Sequence, residues 1–195
     1  MFWIALFNLL LAVLAPPVNE EALFFDVILK GEVVGELKAV KTTSGTQTIY
    51  QSITEIETRL ITKLQVSYNT RVVYVGEAMQ EAKASLTVNG STFTDTHTKR
   101  VNGEYHFYKS EKQKKKLDSP ITFSSIQLLF EEPERVASAY SEDSGSFFTI
   151  ERKEKNMYEK VNSRGKKSIY HYRNKALESI EVDAGPVEFE MVLKK

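Results

Sequence analysis

Apolar and polar residues alternate along the chain from Tyr50 to Tyr74, and this alternation limits the possible folds more than any other feature. Most apolar side chains in this stretch stand at even positions, and most charged or amide side chains stand at odd positions. Period two is the pattern of a β-sheet with one face in water. A single straight strand of this length would span about 80 Å at ~3.3 Å per residue. We therefore predict strands here, with a sharp bend or turn near residues 60–62.

Turn residues recur at the spacing of a β-meander. Asn89-Gly90 and Asn102-Gly103 separate alternating runs, and both residue types tolerate the positive φ of a type I′ turn. Ser44-Gly45, Arg164-Gly165 and Asn174-Lys175 are further turn signals. Because nearly every connection is short, strands that follow each other in sequence should pair antiparallel. Twelve strands are predicted, over residues 24–30, 33–42, 46–58, 63–75, 78–88, 92–101, 104–110, 147–153, 157–161, 168–173, 177–183 and 187–193.

A sheet with this many strands curls rather than staying flat. We predict an all-β fold with one short helical segment, in which an antiparallel meander curls into a half-barrel or barrel and the helix lies across the open face. The chain has 195 residues, of which 42% are hydrophobic, and this fits one sizeable core. We assign residues 23–195 to a single β-barrel-like domain.

The first residues are predicted to be a secretory signal. Residues 1–18 carry no charge, and the apolar run ends in the small residues of Val13-Leu14-Ala15. We assign residues 1–15 to the signal peptide and 16–22 to a linker, which predicts a periplasmic or secreted protein. An uncleaved anchor is the alternative, because no basic residue precedes the run. The chain has no cysteine, so a bacterial periplasm is favoured over a disulfide-rich secreted setting.

One segment interrupts the predicted strands. Ser124 can cap a short helix in which Ile126, Leu129 and Phe130 share one face, and Pro133 is a natural stop. A second helical turn is predicted over residues 134–140. The segment is interpreted as a plug that completes the core, with a mobile lid over a ligand cavity and an active-site loop as alternatives.

Small side chains on the middle strands indicate room inside the sheet. Alanines occupy one face of the fifth strand and threonines one face of the sixth, and small residues on a concave face leave volume. The threonines fit a wet outer face equally well, although the polar residues on the other side of that strand favour an inward position. The candidate ligand-binding residues, as cavity lining or lid, are Thr94, Thr96, Ala82, Ala84, Ile126, Leu129, Phe130 and Tyr140.

No catalytic, metal-binding or cofactor-binding residue is predicted. The three histidines, His97, His106 and His171, are too far apart for a helix-borne metal motif, and no nucleotide-binding or nucleophile motif is present. Carboxylates between residues 131 and 143 are interpreted as solvated helix ends, and Lys112–Lys116 as a solvated hairpin tip or a contact to an anionic membrane. The 26 basic residues balance the 26 acidic ones, so no nucleic acid partner is expected.

Four stretches resemble an uncharacterised family of exported Bacteroidota proteins. They are FFDVILKGEVVGELKAVKTT, VSYNTRVVY, SSIQLLFEEPERVASAYSEDSGSF and VEFEMVLK, and the resemblance covers Leu23 to Lys195. The residues Phe130–Pro133 and Tyr140–Glu142 are its most specific part. The resemblance implies export and an all-β fold, and no reaction. In outline the architecture is similar to the half-barrels of bacterial lipoprotein carriers, a likeness of fold class that does not transfer function.

Two functions follow from these observations. The first is a non-enzymatic binding or carrier protein that holds an apolar or lipid-like ligand between the curved sheet and the helical segment. The alternative is an interaction or assembly module for a cell-envelope complex, with an envelope protein as its partner. An enzyme is disfavoured because no nucleophile is paired with a base in the sequence.

Cleavage of the signal is expected directly after Ala15, because Val13 and Ala15 are small residues at the two recognition positions. N-terminal sequencing of the exported protein should therefore begin between Pro16 and Asn19. A mature chain that begins elsewhere, or retains Met1, would contradict this assignment.

Overall fold

A computed structural model describes residues 16–59, 63–117, 119–162, 165–183 and 187–195. The predicted signal peptide and the predicted turn at residues 60–62 lie outside this description. The chain folds into one antiparallel sheet of fourteen strands and a short 3₁₀ helix, Ser125–Leu129. The strands are β1 (Val18–Leu29), β2 (Glu32–Ser44), β3 (Gln47–Thr58), β4 (Leu64–Val75), β5 (Ala78–Val88), β6 (Ser91–Val101), β7 (Glu104–Lys109), β8 (Lys112–Leu117), β9 (Ser138–Ser141), β10 (Ser146–Glu154), β11 (Met157–Val161), β12 (Lys167–Arg173), β13 (Ala176–Asp183) and β14 (Glu188–Leu193).

The two ends of the chain meet in the middle of the sheet. The strand order is β8-β7-β6-β5-β4-β3-β2-β1-β14-β13-β12-β11-β10-β9, so β1 and β14 are neighbours and β8 and β9 are the outermost strands. Phe25 pairs with Leu193 and Val27 with Met191 across this junction. The sheet thus consists of two meanders, β1–β8 and β9–β14, joined along one pair of strands.

The predicted meander is confirmed, and its hairpin turns explain why. Asn89 and Gly90 have φ angles of 47° and 78°, and Asn102 and Gly103 have 52° and 88°. Positive φ at both central residues is the type I′ geometry, which matches the twist of the flanking strands. Most predicted strands agree with the structure to within two residues at each end.

Three assignments of secondary structure from the sequence are wrong. Lys112–Lys116, interpreted as a hairpin tip, lies within β8, and the turn before it is Ser110-Glu111 with φ angles of 48° and 63°. No second helical turn covers residues 134–140, because Ser138–Ser141 is β9 and pairs with β10. β1 begins at Val18, so most of the predicted linker is a strand whose residues pair with the end of β2.

The sheet curls so that β9 lies across the inner face of β6. The Thr98 and Tyr140 hydroxyls are 2.6 Å apart, and the Thr96 hydroxyl donates to the Glu142 carbonyl at 2.8 Å. Among the described residues β8 and β9 do not pair with each other, so the sheet remains an open, barrel-like curl. Side-chain contacts between β6 and the β9–β10 hairpin therefore hold the two meanders of the sheet together.

Gly145 allows this hairpin to pack closely against β7. Its φ is +60°, and an added Cβ would lie 2.4 Å from two ring carbons of Phe107. Both the left-handed backbone and the aromatic ring exclude a side chain at this position. The glycine therefore sets how deeply the hairpin enters the curl.

The 3₁₀ helix fills one end of the interior. Ile126, Leu128 and Leu129 are buried in a core cluster that includes residues of both meanders. The Tyr172 hydroxyl donates to the Leu128 carbonyl at 2.6 Å, which ties the helix to β12. These contacts agree with the interpretation of the segment as a plug.

A buried carboxylate joins the plug to the β9–β10 hairpin. Glu142 is 1% exposed, and it accepts hydrogen bonds from the Ser125 hydroxyl at 2.5 Å and from the Ile126 N–H at 3.1 Å. It thereby satisfies a backbone donor at the start of the helix that has no partner within the helix. Burial raises the pKa of Glu142, although these hydrogen bonds oppose the change.

The substitution Leu129→Ala should lower the free energy of unfolding by about 2–5 kcal/mol, because it truncates a side chain packed in the core. Urea unfolding followed by circular dichroism measures the change. The control Val33→Ala removes a side chain that is 62% exposed and should cost less than about 1 kcal/mol. Hydrogen exchange over Ser125–Leu129 should be as slow as in the sheet, whereas faster exchange would favour a mobile lid.

Stability should depend on pH through Glu142. Since its folded pKa is raised, the carboxyl contributes most below its unfolded pKa, and the contribution is lost as pH rises through the folded value. The difference in unfolding free energy between the wild type and Glu142→Gln should therefore shift against the wild type as pH increases from about 4 to 8. A difference that is constant over this range, measured by urea unfolding, would contradict the burial argument.

Candidate functional site

The residues predicted to line a cavity lie mostly in the filled part of the interior. Thr94 and Phe130 are half-buried. The other six are buried, namely Ala82, Ala84, Thr96, Ile126, Leu129 and Tyr140. The inward position of Thr94 and Thr96 follows from their pairing with Leu86 and Ala84. Their small neighbours leave room that the β9–β10 hairpin occupies, and their role in ligand binding remains a prediction.

Polar contacts close the plugged end of the interior. The Tyr50 hydroxyl donates to Glu131 at 2.7 Å, and the Lys41 ammonium lies 3.1 Å from the same carboxylate. The Phe130 ring packs against Tyr50 with 5.6 Å between ring centroids. Glu132 accepts a hydrogen bond from the Tyr158 hydroxyl at 2.9 Å. The interpretation of these two glutamates as solvated helix ends is thus wrong, because both are half-buried and bound to tyrosines.

The opposite end of the same inner face is lined by partly exposed aliphatic side chains. Strand pairing aligns Ile56 with Val66 and Val66 with Val88. We call this set the inner apolar wall, and it comprises Ile56, Leu64, Val66, Leu86 and Val88, all of them half-buried. The second meander contributes the half-buried Val182, Phe189 and Met191. The inner face therefore continues beyond the plugged core as an apolar surface in contact with solvent.

Tyr68 and Lys160 are two of the polar residues on the inner face of the sheet. Tyr68 pairs with Leu86, and Lys160 pairs with Ile150, so both share the inner face with the core. Burial, followed by the charges of Asp143 and Glu142, raises the pKa of the Tyr68 hydroxyl above its usual range. Tyr170, on the other meander, acts in the same direction. Tyr68 on β4 and Lys160 on β11 thus place a hydroxyl and an ammonium on the inner face of the two meanders.

A polar groove lies on the outer face of β2–β7. Its volume is about 1040 Å³, and Gln51, Asn69, Ser85 and Tyr108 are among its lining residues. It stands on the side of the sheet opposite the inner apolar wall. The groove therefore offers hydrogen-bonding groups beside apolar side chains such as Val40 and Ile53.

Glu81 organises the charges beside this groove. Its carboxylate lies 2.6 Å from the His97 imidazole, 3.3 Å from Arg71 and 3.4 Å from Lys83. Partial burial opposes ionisation of Glu81, but the hydrogen bond from His97 and the charge of Lys83 outweigh it, and the pKa is lowered. Partial burial lowers the pKa of His97, although Glu81 opposes the change. The cluster thus sets one carboxylate against the permanent cations Arg71 and Lys83 and keeps a net positive charge.

The histidines lie on the outer face and pair with glutamates. His106 is 3.7 Å from Glu104, and His171 is 2.8 Å from Glu181. In the described part of the chain, no group of three or more histidine, aspartate or glutamate side chains is placed to hold a metal ion. The same residues include no helix that is long and apolar enough to cross a membrane.

Sequence reasoning missed the open end of the inner face, although part of the signal was present. The alternation placed Val66 and Leu86 on the apolar face, but their partial exposure depends on where the plug ends. Lys160 gave no signal, because β11 has only five residues and a lysine on so short a strand is usually solvated.

Comparison with a solved structure supports the fold. The chain is similar to the crystal structure of a beta-barrel-like protein of domain of unknown function DUF1849 from Brucella abortus, with a TM-score of 0.58 and 12% sequence identity. The alignment covers 93% of this chain and 98% of that one. At this identity the likeness shows the fold alone.

Two further comparisons concern sequence. No curated protein matches the chain. A model described as domain of unknown function (DUF6134) matches residues 25–194, which include both meanders and the plug. The chain therefore belongs to the DUF6134 family, whose function is unknown.

Proposed function

We propose that this protein is an exported, periplasmic or secreted, non-enzymatic binding or carrier protein for an apolar or lipid-like ligand. The observation that carries the proposal is the inner apolar wall, which continues the core face of the sheet into solvent. The ligand lies against this wall at the open end of the interior. The site differs from the cavity predicted under the helical segment, because the plug fills that space.

The energetics favour an apolar occupant. Complete burial of an exposed large aliphatic side chain contributes about 1.5–3 kcal/mol, and the half-buried side chains of the wall would gain part of this on binding. Five such side chains on adjoining strands form one continuous surface, whereas singly scattered apolar residues need no ligand to explain them. A bound acyl chain would remove this surface from water without any change in the strands.

The hydrogen-bond partners of three acidic residues support a binding role over catalysis. Glu142 caps the plug, Glu131 binds Tyr50 and Lys41, and Glu132 accepts from Tyr158. Each carboxylate has structural partners at the filled end of the interior, away from the inner apolar wall. Acid–base catalysis would instead require carboxyl groups facing a substrate cleft.

The outer polar groove favours the alternative of an assembly module. Its volume of about 1040 Å³ and its charged rim suit a polar partner from the cell envelope rather than an acyl chain. The two functions use opposite faces of the sheet, so variants on each face separate them.

Binding of the uncharged probe Nile red to the full chain tests the proposal. The double substitution Val66→Thr and Val88→Thr keeps β-branched side chains in both strands but places two hydroxyls on the wall. Each hydroxyl left without a partner costs about 1–3 kcal/mol, so the affinity should fall about tenfold or more. The matched control is Val75→Thr with Val101→Thr, which changes two valines that are each 44% exposed.

The control variant should bind the probe as the wild type does, and both variants should retain the wild-type circular dichroism spectrum. If the wall variant binds the probe with the same affinity as the control variant, the probe binds elsewhere. A wild-type chain that binds no Nile red would contradict the carrier role and leave the outer groove as the working surface.

A further inference from the structure

Lys160 is a cation on the inner face of the sheet. Its neighbours in the strand pairing are Ile150, which is buried, and Ser168, which also faces inward. The lysine itself is half-buried. A charged side chain in this position loses part of its hydration, and such side chains normally have an ionic partner.

The Lys160 ammonium rests on two aromatic rings. It lies 4.6 Å from the centroid of the Phe148 ring and 5.5 Å from that of Tyr170. Both distances are within the range of a cation–π interaction. The rings hold the ammonium in place, and the Tyr170 hydroxyl accepts a hydrogen bond from it, so the other N–H donors of Lys160 are available to a ligand.

No carboxylate of the described residues forms a salt bridge with Lys160. The contrast with Lys41 is informative, since Lys41 also faces inward, lies over a tyrosine ring and is paired with Glu131 at 3.1 Å. The two acidic groups that act on Lys160 from a distance are already bound: Glu142 to the plug, and Asp143 to the Ser141 hydroxyl. Within the described part of the chain, Lys160 is therefore an inward-facing cation that forms no salt bridge.

The ammonium remains charged in this setting. Burial tends to lower the pKa of Lys160, but the adjacent Tyr170 hydroxyl and the charges of Glu142 and Asp143 outweigh that effect and raise it. A protonated lysine beside an apolar surface is suited to a ligand with one anionic group and one apolar tail. The half-buried Val182 lies beside Ser168 on the next strand, so apolar surface adjoins the cation.

We propose that Lys160 binds the anionic group, a carboxylate or a phosphate, of an amphiphile whose acyl chain lies along the inner apolar wall. This inference rests on the proposed function, and it specifies the ligand class. The aromatic pair of Phe148 and Tyr170 positions the ammonium, and the wall receives the chain. Charge-assisted hydrogen bonds of this kind are roughly twice as strong as neutral ones.

Titration of the full chain with three ligands of equal chain length tests the inference. Laurate and dodecyl phosphate carry the anionic group, and dodecanol lacks it; all are used below their micellar concentrations and followed by displacement of Nile red. The wild type should bind both anions at least about tenfold more tightly than dodecanol. Inorganic phosphate alone should displace no probe, because it has no chain to place on the wall.

Two substitutions at the lysine isolate its charge. Lys160→Met keeps an unbranched side chain and should abolish the preference for the anions while leaving dodecanol binding unchanged. Lys160→Arg should retain the preference. The control Lys155→Met removes the same charge from the exposed turn of the β10–β11 hairpin and should behave as the wild type.

Each contrary outcome has a distinct meaning. A wild type that binds dodecanol as tightly as laurate would overturn the role of Lys160 and leave the carrier function intact. Persistence of the preference in Lys160→Met would do the same. Displacement of Nile red by inorganic phosphate at similar concentrations would show that the site binds a free anion and does not require an amphiphile. If none of the three ligands binds, both this inference and the proposed function are wrong.

Discussion

The interior of this protein is organised around the buried carboxylate of Glu142. The sheet does not close through its own hydrogen-bond ladder among the described residues, so the two meanders need another connection. Glu142 provides it by accepting from Ser125 and Ile126 while its own carbonyl accepts from Thr96. Glu142, directly after β9, is thus hydrogen-bonded to both the plug and β6. A buried carboxylate is tolerable only where such donors surround it, and here they also fix the relative positions of three elements.

This connection also explains why one end of the inner face is filled and the other is open. The plug and the β9–β10 hairpin extend from the Tyr50 end of the interior to Thr96, and the short side chains of Ala82 and Ala84 make room for them. Farther along β4 and β5, the side chains of the inner apolar wall are only half-buried. The aliphatic side chains of β4 and β5 therefore lie partly in solvent. The proposed binding surface is the part of the inner face that the plug does not cover.

Much of the fold could be predicted from the sequence, because period two and asparagine-glycine turns are local signals. β5 and β11 were predicted with their observed limits. β8 was missed because Ser110-Glu111 adopts a hairpin turn without glycine, and because four lysines suggest solvent although they also suit an edge strand. β9 has only four residues, too few for an alternation to appear. The open end could not be predicted, since exposure there depends on contacts between segments far apart in sequence.

The junction of β1 and β14 has a consequence for assembly of the chain. Phe25 and Leu193 come from opposite ends of the sequence, so their pairing closes nearly the whole chain into a loop. Each meander can form from local hairpins, whereas this central pair carries the highest entropic cost of closure. The middle of the sheet is thus expected to be the last part to form during folding. A nascent chain would expose the unpaired edge of β1 until β14 has left the ribosome, and the time spent in that state sets its exposure to aggregation.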